Sequence, residues 1–183
     1  MKQRDRIHIN IGDYYASRRP VTLHTTLGSC VAVCLYDKEK RIGGMNHILL
    51  PGSADLRSFN ESARYGINSM ELLINKMISQ GAEKRKLVAK VFGGAHIMPE
   101  FQMDDSIGRK NIEFVKQFLE VERIRILAQH TGGIFTRTIY YHTDTAEVFM
   151  KKLKSSFYKT AAEEKAYMDQ FRTEIIKPDI TFF

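Results

Sequence analysis

A chain of 183 residues with 43% hydrophobic content can bury one good core and is short for two. Its 28 Lys and Arg against 21 Asp and Glu leave a net charge of +7, which implies acidic company, yet the bases are spread along the chain rather than clustered among aromatics, which argues against nucleic acid as the partner. No run approaches the roughly 18 apolar residues of a membrane span, and MKQRDRIHIN lacks the apolar core of a signal peptide, so the sequence predicts a cytoplasmic protein with no membrane insertion.

Residues 7–11, closed by Gly12, predict a short first strand, followed by a loop that carries Tyr14 and Tyr15. Residues 21–26 are rich in β-branched side chains and predict a strand running to a Gly28-Ser29-Cys30 corner. The apolar run 31–36 has no glycine or proline and is too short for a helix, which makes it a buried strand. A charged turn at 37–41 joins it to a second strand, 42–50, that contains His47 and ends at Pro51 and Gly52. The polar stretch GSADLRSFNESARY then predicts a loop beside His47.

Apolar positions Ile67, Met70, Ile74, Met77 and Ile78 predict an amphipathic helix over 65–80, with Gly81 as its stop. A strand at 87–92 runs into Gly93-Gly94; without G-x-G-x-x-G or a Walker pattern this is a tight turn rather than a phosphate cradle, and His96 beyond it reads as structural. Asp104, Asp105 and Ser106 supply N-cap residues for a helix that buries Ile112, Val115, Phe118 and Leu119. Residues 124–129 form the next strand, turned by Gly132-Gly133, and 137–142 with 147–153 make a hairpin. Arg137 can anchor this loop region or meet an acidic helix. Residues 160–176 predict a last helix with Met168, Phe171 and Ile175 on one side, ended by Pro178 and docked on the protein's own sheet. The pattern is α/β, with two helices covering one side of a largely antiparallel β structure.

Strands 31–36 and 42–50, joined by a short turn, pair side by side and can bring Cys30 and His47 together, the geometry that a thiol nucleophile and its base require. An imidazole raises the thiolate fraction by accepting the proton, and amides at Gly28 and Ser29 can point at an oxyanion because glycine permits close backbone approach. Cys34, deeper in the apolar run, reads as core. A zinc site from Cys30, Cys34, His24 and His47 is disfavoured, since C-x3-C on one strand face is unlike the C-x2-C knuckle of structural sites.

LGSCVAVCLYD, then GG and HILLP, followed by KVFGGAHIM, SIGRKN and HTGGIFTRTIYY in order, resemble the signature of the CheD family, the chemoreceptor glutamine deamidases of bacterial chemotaxis. The resemblance implies a three-layer α/β/β sandwich over residues 1–153, with 154–183 as a C-terminal helical extension. It further implies that Cys30 attacks a receptor glutamine, His47 moves the protons, a thioester forms and glutamate results, with no cofactor and no metal. The substrate would be the cytoplasmic helices of chemoreceptors, rich in Glu and Gln, and glutamyl methyl esters could enter the same chemistry. An alternative role is that of a binding partner of a CheC-type phosphatase. The family pattern places a threonine six residues before the nucleophile to orient the histidine, and here His24 holds that position; Thr22 and Thr26 share its strand face, so His24 and Thr26 are the candidates for the third member.

Overall fold

The protein is described from a computed structural model over residues 4–50, 52–54, 56–97, 106–153 and 157–175. Nine strands and three α-helices follow in the order β1 (Asp5–His8), β2 (Tyr14–Ser17), β3 (Val21–Leu27), β4 (Val31–Asp37), β5 (Ile42–Ile48), α1 (Glu61–Ser79), β6 (Leu87–Gly93), α2 (Ile107–Val121), β7 (Arg125–Thr131), β8 (Thr136–His142), β9 (Val148–Leu153) and α3 (Phe157–Ile175), these being the strands and α-helices among the described residues. They build a four-stranded sheet of order β1-β3-β8-β9 and a five-stranded sheet of order β2-β5-β4-β6-β7. Only β1–β3 and β6–β7 pair in parallel among the described strands, the second across the crossover that α2 supplies.

Alternation along β4 divides the interior in two. Val31, Val33 and Leu35 pack with Met70, Leu73, Ile74 and Met77 of α1 and Phe114, Val115 and Phe118 of α2. Cys30, Ala32 and Cys34 point the other way and join Met45 and Leu49 with Leu23, Leu27, Ile139 and Tyr141 of the four-stranded sheet. The five-stranded sheet thus has helices on one face and the second sheet on the other. Each large apolar side chain so buried contributes about 1.5–3 kcal/mol.

Three expectations need correction. Residues 14–17 form an edge strand rather than loop, pairing antiparallel with β5 from Tyr14↔Asn46 to Ser17↔Gly43; so short an edge is held by backbone bonds and leaves little side-chain pattern. The loop before α1 is also shorter than the polar composition suggested, because Asn60 accepts from the Ala63 amide at 2.9 Å and starts the helix at Glu61. The first strand is Asp5–His8, earlier than 7–11, because its parallel register against Val21–His24 sets its ends. Ser106 caps α2 by accepting from the Arg109 amide; Asp104, Asp105 and Pro178 lie outside the described residues. Among those described, no helix is long and apolar enough to cross a membrane.

Candidate active site

The β4–β5 register sets Ala32 opposite His47. Cys30 lies two residues from Ala32, so the thiol and the imidazole project from one face of the sheet as diagonal neighbours, near its end. Both are buried, and both line one cavity of ≈ 600 Å³ together with Thr25, Ile11, Glu164 and Tyr167.

Hydrogen bonds determine which imidazole nitrogen is available. The Thr25 hydroxyl donates its single proton to the Ile9 carbonyl at 2.7 Å, so toward His47 Nδ1, 2.9 Å away, its oxygen can only accept. Nδ1 therefore carries the hydrogen, and Ile9 O, 3.3 Å off, shares it. Nε2 is left with a lone pair and, among the described residues, has no bonding partner although it is buried. Burial holds the His47 pKa down, from the ordinary 6.5 to about 4, so the ring is neutral near pH 7 and Nε2 keeps its lone pair.

The corner that precedes β4 is tied from behind. The carbonyls of Gly28, Ser29 and Cys30 accept from the Ala95 amide at 2.7 Å, Asn111 Nδ2 at 2.9 Å and the Gly94 amide at 2.6 Å. Asn111 also accepts from the Leu50 amide at 2.9 Å, linking α2 to the end of β5. Gly93 makes this approach possible: at φ +113 it adopts a conformation closed to other residues, and a Cβ there would lie 2.1 Å from the Cys30 carbonyl oxygen.

With its carbonyls held, the corner turns its amides into the cavity, where they meet a side chain from the far end of the chain. Glu164 of α3 accepts from the Ser29 amide and the Cys30 amide, each at 3.2 Å, from the Ser29 hydroxyl, and from the Cys30 thiol at 2.8 Å. Burial and then the Glu164 carboxylate push the Cys30 thiol well above its usual range. Burial likewise raises the Glu164 carboxyl, against the bonds from Cys30 and Ser29.

His24 and Thr26 do not reach His47. On the outer face of the four-stranded sheet His24 Nδ1 lies 3.4 Å from His8 Nδ1 and its ring stacks on Tyr140, while Thr26 bonds Thr138 at 2.8 Å and borders the cavity without a bond to His47. The hydroxyl against His47 belongs to Thr25, five residues before Cys30. Alternation is the physical reason: Leu23, Thr25 and Leu27 turn inward, and His24 cannot share that face. The inward leucines on either side of Thr25 were the signal available for it. Cys34 lies fully within the inter-sheet core, and the outward turn of His24 also keeps the four residues weighed for zinc from gathering. Arg137 is buried and donates to backbone carbonyls of Gly93, His130, Gly132 and Phe135, so it anchors the turn region.

A buried thiol beside an imidazole of defined tautomer, under a corner whose amides converge on an oxygen, is the arrangement used by hydrolases that act on carbonyl groups. The chain belongs to the CheD family: residues 49–152 match the family model described as CheD chemotactic sensory transduction. That match begins just after His47, but similarity to whole relatives extends over Cys30 and His47 as well. The chain is 39% identical over 183 residues to a protein of Herminiimonas arsenicoxydans, covering 98% of this chain and 90% of that one. It is 40% identical over 166 residues to one of Shewanella oneidensis, covering 90% and 80%. The first bears the name "Probable chemoreceptor glutamine deamidase CheD" and the second the same name with the numeral 1. Among solved structures, the Bacillus licheniformis hypothetical protein YfiH is a distant likeness, with a TM-score of 0.39 and 15% identity over 64% of this chain and 49% of that one.

Proposed function

We propose that this protein hydrolyses the side-chain amide of glutamine residues in chemoreceptors, with Cys30 as nucleophile, His47 as general base and acid, and Thr25 as the residue that orients His47. The observation that carries this reading is the free, unprotonated Nε2 of His47, enclosed in the cavity that Cys30 also lines. The thiol proton passes to Nε2 and Sγ bonds to the glutamine Cδ. The amides of Ser29 and Cys30 hold the oxyanion as the tetrahedral intermediate forms. The carbon–nitrogen bond then breaks, His47 returns the proton to the leaving nitrogen, and ammonia departs. Water, deprotonated by His47, attacks the thioester; Sγ leaves and regains its proton, and glutamate remains.

The names of the relatives support chemoreceptors as substrate, and the net charge of +7 suits helices rich in Glu. The succession of helices, five-stranded sheet and four-stranded sheet supports reading 1–153 as a three-layer deamidase domain and 154–183 as its extension. The test is incubation with the cytoplasmic fragment of a chemoreceptor, followed by mass spectrometry of its peptides. Deamidation adds about 1 Da at a glutamine as NH2 is exchanged for OH. The expected result is that gain with the native protein and none with Cys30→Ala; equal gain with both would overturn the assignment.

A further inference from the structure

Helix α3 buries a stripe of Thr160, Glu164 and Met168, and the middle member is a carboxylate that is 1% exposed. A helix docked for stability alone would place an apolar side chain there, because burying a charge is costly unless donors surround it. Donors do surround it, and they are the groups of the reaction site: two corner amides, the Ser29 hydroxyl and the Cys30 thiol. Gly28 makes room for the approach, since a Cβ at that position would lie 2.7 Å from Glu164 Oε1 and 2.9 Å from Thr160 Cγ2. Outside the carboxylate cradle, α3 is fastened by a hydroxyl–hydroxyl bond between Tyr167 and Tyr65 of α1.

We propose that α3 is a tethered mimic of the substrate helix, with Glu164 standing where the product glutamate stands after deamidation. This rests on the deamidase reading and names its side-chain subsite and its regulation. The cleft under α3, bordered by Asn10, Ile11, Thr26 and Leu153, is the groove for a target helix, and the corner amides with the Ser29 hydroxyl receive the target's side-chain oxygen. While α3 is seated, no other helix reaches Sγ. A substrate binds only the fraction of molecules in which α3 has lifted, and its apparent affinity falls by that fraction. The seated carboxylate, accepting from the Cys30 thiol at 2.8 Å, adds to the burial that keeps this sulfur protonated.

The geometry makes the inference testable within one molecule. In full-length Glu164→Gln the carboxamide would stand at the nucleophile. Cys30 would pass its proton to His47 and bond to Cδ of residue 164, ammonia would leave with that proton, and water would release the thioester, restoring glutamate. Intact mass and peptide mapping should therefore find glutamate at 164 in Glu164→Gln, and glutamine in the same variant carrying Cys30→Ala. In parallel, Glu164→Ala should raise kcat/KM on a chemoreceptor fragment about tenfold, chiefly through KM, and Tyr65→Phe should raise it less. If the native protein deamidates the fragment, yet residue 164 stays glutamine and Glu164→Ala is no faster, α3 is not a substrate mimic. Should Glu164→Gln not fold, unchanged or slower turnover by Glu164→Ala and Tyr65→Phe overturns the proposal alone. If neither the native protein nor Glu164→Ala deamidates the fragment, the deamidase reading fails and this inference fails with it.

Discussion

The two faces of the five-stranded sheet are made from the same strands and do different work. On the helix side, β4 and β5 present Val31, Val33, Leu35 and Ile48 to an apolar layer; on the other, one residue out of phase, they present Cys30, Cys34, Met45 and His47. The first face is closed along its length by α1 and α2. The second is sealed by the other sheet at its centre but opens at the Cys30 end, where α3 covers it with a carboxylate. Alternation in a strand thus gives one face an apolar layer and the other the cavity, and the open end sets Cys30, which lines that cavity, apart from Cys34.

On the proposed mechanism, that division is broken most severely at Cys30. Cys30→Ala and His47→Gln should each lower receptor deamidation by at least about 10³-fold, with the double variant no worse than either single, because the two act as one unit. Circular dichroism should show both folded. On the opposite face, Phe114→Ala should cost about 3–5 kcal/mol in urea unfolding, while the activity of the remaining folded enzyme is retained.

The buried imidazole ties the two properties together through pH. Because folded His47 titrates near 4 rather than 6.5, the unfolded chain binds more protons between those values. Stability from this residue is complete above pH 6.5 and falls by about 3 kcal/mol as pH drops to 4. Denaturant midpoints of the native protein should follow that slope, and those of His47→Gln should be flatter. Thr25→Val, which removes the nearer acceptor for Nδ1–H, should reduce kcat by about 10- to 100-fold, or about 1.4 to 2.8 kcal/mol of barrier. Thr25→Ser should recover most of the loss, and His24→Ala should leave the rate and its pH profile unchanged. The smallest effect belongs to Cys34→Ala, at about 1 kcal/mol of stability with no change in turnover.

Much of this was legible from residue order. Punctuation by Gly28, the charged turn at 37–41 and Pro51 bounded the hairpin, and spacing within it brought Cys30 near His47. Neither candidate for the third member, His24 or Thr26, bonds His47, since a strand step changes the face and the fold turns Thr25, between them, inward. Edge strand β2 and the two parallel pairings depend on partners distant in sequence, and local composition does not encode them. Glu164 was absent from the apolar stripe read for the last helix because a charge in a helix reads as its solvent side. Its burial depends on a corner 134 residues away that supplies the donors.

The three tied carbonyls at the corner have a further consequence. Ala95, Asn111 and Gly94 hold Gly28, Ser29 and Cys30 by bonds that owe nothing to whatever occupies the cavity. When α3 departs, the amides it leaves keep their direction, and a substrate meets a hole that is already formed. The entropy of ordering that hole is lost once, as the chain folds, and not again with each turnover.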